Sequence, residues 1–133
     1  MTDRPALLDT SVLIARESGR SLNIRSVPEQ TTVSVVTLAE LHAGVLAAGD
    51  TTTRARRLAT LDAVSTVEAL PITAEAARRW AALRVRLAEE ARTAKINDLW
   101  IASVAAANGM DVVTQDSDFD AIESVGGPNV IRV

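Results

Sequence analysis

KINDLWIASVAAANGMDVVTQDSDF, residues Lys95–Phe119, contains a helix, a stop, a strand and an acidic turn in that order. Asn97 stands where a helix cap is favoured, and the apolar spacing then carries a helix to about Asn108, with Gly109 as its stop. Asp111 to Thr114 follows as a β-rich run, and Gln-Asp-Ser-Asp opens a short helix from Asp118 to Ser124. A helix that passes through one glycine into an apolar strand and out into another helix is a unit of alternating α/β architecture. Two acids, Asp116 and Asp118, fall at the strand's exit, and a third, Asp98, falls in the preceding helix's first turn.

Working outward, the same alternation covers the chain. Ala6 to Leu8 reads as a strand, followed by a helix opening at Thr10 or Ser11 and running through Glu17. A Gly/Ser/Pro/Asn-bearing connector spans Ser18 to Gln30. Thr32 to Val36 reads as a second strand, Thr37 to Ala48 as a helix stopped by Gly49, and Thr52 to about Val64 as another helix. Val67 to Ile72 reads as a short edge strand because Pro71 lies near its end. Ala74 to Ala91 is the longest helix, with Ala76, Trp80, Leu83 and Leu87 on one stripe, and Thr93 to Ile96 is a break. Asn129 to Val133 closes the chain as a last strand. With no hairpin signal between strands, the expected fold is an α/β three-layer α/β/α sandwich around a mainly parallel sheet, as one domain over residues 1–133.

Composition narrows the chemistry. The chain has 133 residues, no cysteine and a single histidine, His42, so thiolate zinc sites, disulfides and multi-histidine sites are excluded. Net charge is −3 and the pI about 5.1, which confines any nucleic-acid contact to a local patch. Lys95 is the only lysine, and arginines gather as Arg54/Arg56/Arg57 and Arg78/Arg79/Arg84/Arg86, either as solvated helix faces or as contacts to a phosphate backbone. The stretch MTDRPALLD has acids on both sides of a very short apolar run, unlike a signal peptide, and no apolar stretch approaches a membrane span. The expected location is the cytoplasm.

Asp9, Glu40, Asp98, Asp116 and Asp118 each stand at or near a strand-to-helix junction or in a helix's first turn. Each has an ordinary structural reading. Asp9 caps a helix, Glu40 completes a T-x-x-E capping box with Thr37, Asp98 favours the helix dipole, and Gln-Asp-Ser-Asp makes a good turn. Capping accounts for each acid separately but not for their arrival at one edge of an open α/β sheet, where ligand crevices form. Carboxylates about 4 Å apart repel by about 4 kcal/mol per pair at an effective dielectric of 20, which a divalent cation offsets. Hydroxyls at Thr10, Ser11 and Thr114 accompany the acids, and Asn97 adjoins Asp98. His42, two positions beyond Glu40, points away from its face, and Trp80 and Trp100 read as core or dimer-interface residues. Mg²⁺ or Mn²⁺ accepts oxygen ligands and retains water, so phosphodiester hydrolysis by an activated water is the expected reaction.

LLDTSVLIA (Leu7–Ala15), SVVTLAELHAG (Ser34–Gly44), NDLWIASVAAANG (Asn97–Gly109) and VVTQDSDFDAI (Val112–Ile122) occur in the order found in PIN-domain nucleases. Over nearly its whole length the chain resembles the VapC-type toxin ribonucleases of VapBC toxin–antitoxin pairs. That resemblance implies a PIN-like fold, a homodimer, an RNA substrate, Mg²⁺ or Mn²⁺ as cofactor and a cognate VapB-type antitoxin over the active site. It also implies an acidic quartet of Asp9, Glu40, Asp98 and Asp116, with Asp118 an auxiliary ligand, and Glu40 acting on the attacking water. Thr10, Ser11, Thr114 and Asn97 take supporting roles.

Two other classes share features with the chain. A phosphoacceptor receiver domain has the βα alternation and an acidic Mg²⁺ pocket, but expects paired acids after the first strand and a lysine after a late one. Asp9 has no acidic neighbour, and Lys95 precedes a helix. A non-catalytic PIN-like module would hold its ion for structure alone. Phosphatases with D-x-D after the first strand meet Ser11 at the second position, and no Gly-rich phosphate loop is present.

Overall fold

The computed structural model describes residues 4–133, so Asp3, the first acid of the amino-terminal stretch, lies outside the described residues. Four parallel strands form one sheet in the order β2-β1-β3-β4: β1 (Ala6–Leu8), β2 (Thr31–Thr32), β3 (Asp111–Thr114) and β4 (Val130–Arg132). Six α-helices are α1 (Thr10–Glu17), α2 (Val35–Leu46), α3 (Thr51–Ser65), α4 (Ala74–Glu89), α5 (Ile96–Ala107) and α6 (Asp120–Ser124), with a 3-10 turn at Ile24–Ser26.

The two-residue period of the central strands divides the core into two faces. Leu7 and Val112 point to a cluster built mainly by α4, α5 and α6, with Leu83, Leu87, Ile101, Val104, Phe119 and Ile122. Ala6, Leu8 and Val113 point the other way, onto Val12 and Leu13 of α1, Leu41 of α2, and Leu61 and Val64 of α3. Helices on both faces of an all-parallel sheet make the expected α/β/α sandwich. Small residues in α5, Ala102 and Ala105 among them, are fully buried and let this helix lie close to the sheet. Gly109 ends α5 at φ +65°, the left-handed conformation a helix stop of this kind uses.

Several boundaries differ from the sequence reading. The second strand is Thr31–Thr32 rather than Thr32–Val36, and α2 begins at Val35, capped by the Ser34 hydroxyl accepting from the Thr37 amide at 3.3 Å. The β-branched run Val33–Val36 enters the helix because Val36 reaches the core there; packing overrides propensity. Val67–Ile72 is no strand: it contributes one parallel bridge, Ser34 with Leu70, and Pro71 removes the next donor. Asn97 is not the cap of α5; that position is Lys95, and it makes no side-chain cap bond. Helix α6 starts at Asp120 rather than Asp118, and α4 ends at Glu89, followed by Ala91 at φ +53°.

Strand β1 lies between β2 on one side and β3 on the other, so successive connections leave it in opposite directions. Such a reversal opens a crevice beyond the strands' carboxyl ends. Asp9 follows β1 directly, and Gln115–Asp118 follow β3.

Candidate active site

Asp9 is a buried acid, 4% exposed, and caps α1 by accepting from the Ser11 amide. The capping role read from sequence is thus present. It leaves capacity for more, because the same Oδ2 accepts the Thr114 hydroxyl at 3.0 Å. With the Thr114 proton directed at Asp9, the Ser11 hydroxyl 3.2 Å away donates to Thr114, and Ser11 Oγ in turn accepts from the Gln115 amide at 3.1 Å. The Asp116 amide lies 3.3 Å from Thr114 Oγ1, and Asp116 Oδ1 accepts from the Asp118 amide at 3.0 Å. One hydrogen-bonded chain therefore links the ends of β1 and β3.

Glu40 joins through α1. Thr10 is buried, and its hydroxyl donates to Glu40 Oε1 at 2.7 Å while lying 3.0 Å from the buried Thr37 hydroxyl. Because α2 is capped by Ser34, Glu40 sits in the second turn, out of reach of the cap amide. The capping-box reading of Thr37 and Glu40 is corrected accordingly. Thr37 instead supports the Thr10–Glu40 pair, a role its sequence context concealed. The Ser34-x-x-Thr37 spacing is the signal that places the cap three residues earlier.

Asp98 lies in the first turn of α5 and is half-buried. Its carboxylate accepts no hydrogen bond among the described residues. Burial, and then the charges of Asp9, Asp118 and Asp116, push its pKa up to about 7, with only Lys95 acting against them. Burial likewise raises Asp9, opposed by the hydrogen bonds from Ser11 and Thr114 and reinforced by Asp116. Asp118 is held at the rim by Lys95, Nζ to Oδ2 2.8 Å. Asn97 is exposed and makes no side-chain hydrogen bond among the described residues, so it is not brought into the cluster. His42 is exposed as expected. Trp80 and Trp100 stack at 5.0 Å between ring centroids on α4 and α5, half-buried against the core, with Arg84 over Trp80.

An oxygen-only donor set with mutual repulsion, one member lacking any hydrogen-bond donor, suits a hard divalent cation. Among the described residues, no three acidic side chains converge closely enough to encircle an ion as they stand. A cation would therefore draw Asp98 and Asp116 toward Asp9.

A family profile described as PIN domain matches residues 6–125. The chain is 53% identical to Ribonuclease VapC5 of Mycobacterium tuberculosis, covering 100% of both chains, and 41% identical to Ribonuclease VapC4 of the same organism, covering 94% of this chain and 96% of that one. It also superposes with TM-score 0.91 on a crystal structure of VapBC-5, a member of the VapBC family of toxin–antitoxin systems from Mycobacterium tuberculosis. That match covers 98% of this chain and 100% of the other at 49% identity.

Proposed function

This chain belongs to the PIN-domain family and, within it, to the VapC proteins, and from that premise we propose that it is a Mg²⁺- or Mn²⁺-dependent endoribonuclease toxin of the cytoplasm. In this reading residues 1–133 act as one domain, the protein works as a homodimer, and a cognate VapB-type antitoxin holds it inactive. The receiver-domain alternative falls with the family assignment.

The observation that carries the reading is Asp98, half-buried, without a hydrogen-bond donor among the described residues and pushed up to about 7 by burial and by three neighbouring acids. An acid in that state at a sheet's carboxyl edge is poised for a cation. Asp9, Asp98 and Asp116 would hold it, with Asp118 auxiliary. When bound, a divalent cation lowers the pKa of water and neutralises a phosphate oxygen. Glu40, oriented by the Thr10 hydroxyl at 2.7 Å, takes the proton from the attacking water. Thr114 fixes the Asp9 carboxylate and Ser11 fixes Thr114.

The test is cleavage of a mixed cellular RNA pool with Mg²⁺ or Mn²⁺, run beside EDTA and an Asp98→Asn variant. Metal-dependent cutting that disappears in both controls is expected. Divalent-ion binding with every RNA left intact would overturn the nuclease reading and leave a PIN-like binding module.

A further inference from the structure

Cations are distributed unevenly over this acidic protein. Arg4, Arg78, Arg79, Lys95 and Arg132 all pair with carboxylates. The three arginines of α3 do not pair with any among the described residues. Arg54 donates to the Ala48 carbonyl at 3.2 Å and Arg57 to the Gly44 carbonyl at 2.6 Å, while Arg56 is exposed. Arg56 and Arg57 line a groove of about 350 Å³ between α1, α2 and α3, and Glu40 lines the same groove. Gly44 lies one helical turn beyond Glu40 on α2, so the carbonyl that braces Arg57 follows the acid along one helix face.

The groove's other polar groups are already engaged. The Thr60 hydroxyl donates to Glu17 at 2.8 Å and the Thr53 hydroxyl to Asp50 at 2.9 Å. Ile14 and Leu41 supply apolar lining. Two guanidiniums without carboxylate partners, one of them braced with N–H groups to spare, suit phosphate, which arginine meets with a planar fork. Apolar lining beside them suits the face of a sugar or base.

Resting on the ribonuclease reading, we propose that this groove carries the single-stranded RNA away from the acidic edge, with Arg56 and Arg57 holding backbone phosphates outside the cleaved bond. The acids repel the strand at the reaction centre, and the arginines hold it one step away. The proposal thereby accounts for how a protein of net charge −3 engages a polyanion.

The experiment is fluorescence-anisotropy binding of a short labelled single-stranded RNA of mixed sequence, in Mg²⁺, across a salt series, with every protein in an Asp98→Asn background. An Arg56→Gln/Arg57→Gln variant is expected to bind about tenfold or more weakly, and to lower the slope of log K against log salt by about 1.5–2. Arg78→Gln/Arg79→Gln, which removes carboxylate-paired arginines, should leave both unchanged. Arg57→Lys, which keeps the charge without the fork, should fall between, and thermal melts confirm that each variant is folded. Equal affinity and slope in the Arg56/Arg57 variant would overturn the proposal, as would an equal loss in the Arg78/Arg79 variant. So would RNA binding kept intact while only complex formation with a VapB-type protein is lost, since the groove would then be a protein-docking surface. If RNA binding and cleavage both persist in proteins retaining Asp98 and are indifferent to Arg56 and Arg57, this path fails while the nuclease reading stands. If the parent neither binds nor cuts RNA, both fail.

Discussion

Glu40 and Asp98 are both half-buried acids at one edge of one sheet, yet different interactions hold them. Glu40 accepts a buried hydroxyl at 2.7 Å, and that hydroxyl is itself backed by Thr37. Asp98 accepts nothing among the described residues and stands among the charges of Asp9, Asp116 and Asp118. Hydroxyls carried by α1, α2 and β3 thus preorganise one side of the site in the bare protein, whereas the α5 side is under electrostatic stress that a cation would relieve. Preorganised groups keep their geometry without a ligand; stressed groups gain from one.

Neutralising the stressed acid should give the largest effect, and in two opposite directions. Asp98→Asn is expected to lower RNA cleavage by about 10²–10³-fold, since a cation ligand is lost. The same change removes a half-buried, uncompensated charge, so the metal-free variant should melt at a higher temperature than the parent at pH 8. Activity assays and thermal melts on one preparation check both. A variant that loses activity and also melts lower would mean that Asp98 supports the fold, and the comparison with Glu40 would break.

On the preorganised side, Thr114→Val keeps the shape of a fully buried residue and deletes its hydroxyl. Asp9 loses a donor and Ser11 an acceptor. The expected loss is about 1–3 kcal/mol of stability, measured by urea unfolding, with weaker divalent binding alongside. Thr10→Val should cost less stability, because Glu40 is partly open to water, while slowing cleavage about tenfold. If Thr114→Val proves neutral in unfolding, the hydroxyl chain is not what holds this half.

How much of this was legible in the chain follows the same division. Asp9, Glu40, Asp98 and Asp116 were readable because each sits at a junction that local periodicity exposes, and the alternation of elements predicts which edge they share. The partners that distinguish them were not. Thr10 meets Glu40 across 30 positions and Thr114 meets Asp9 across 105, and no local pattern encodes such pairs. Thr37 was misread because a T-x-x-E match is equally a helix interior once Ser34 takes the cap. Asn97 was given a cap that the backbone assigns to Lys95, and the strand expected over Val67–Ile72 reduces to one bridge because a partner at Ser34 alone is available.

Acidity should separate the two sides further. The folded pKa of Asp98, about 7, lies above its ordinary 3.8, so between those values the folded chain keeps a proton that the unfolded chain releases. Metal-free stability should therefore rise as pH falls from about 7 toward 4 and decline as pH climbs through the same window. Asp9, also raised, acts in the same direction. Divalent binding requires that proton to leave, so affinity should grow as pH rises through 7. Melts and calorimetric Mg²⁺ titrations across this range provide the check. The pH dependence of stability should shrink in Asp98→Asn and persist in Glu40→Gln.

The smallest effect on the fold, and a discriminating one for the site, is expected at Lys95. It is the only lysine in the chain, it is largely exposed, and it holds Asp118 at 2.8 Å while its charge partly offsets the acids around Asp98. Exposed pairs of this kind contribute little to stability, so Lys95→Met should leave the melting temperature nearly unchanged. Its charge, however, competes with any divalent cation for the same carboxylates. Removing it should tighten Mg²⁺ binding at low ionic strength, and the gain should fade as salt screens the competition. Tighter binding would place Lys95 as a built-in counter-ion of the stressed half. Weaker binding would mean instead that Lys95 acts by fixing Asp118 in position, which would move Asp118 to the preorganised side of the comparison.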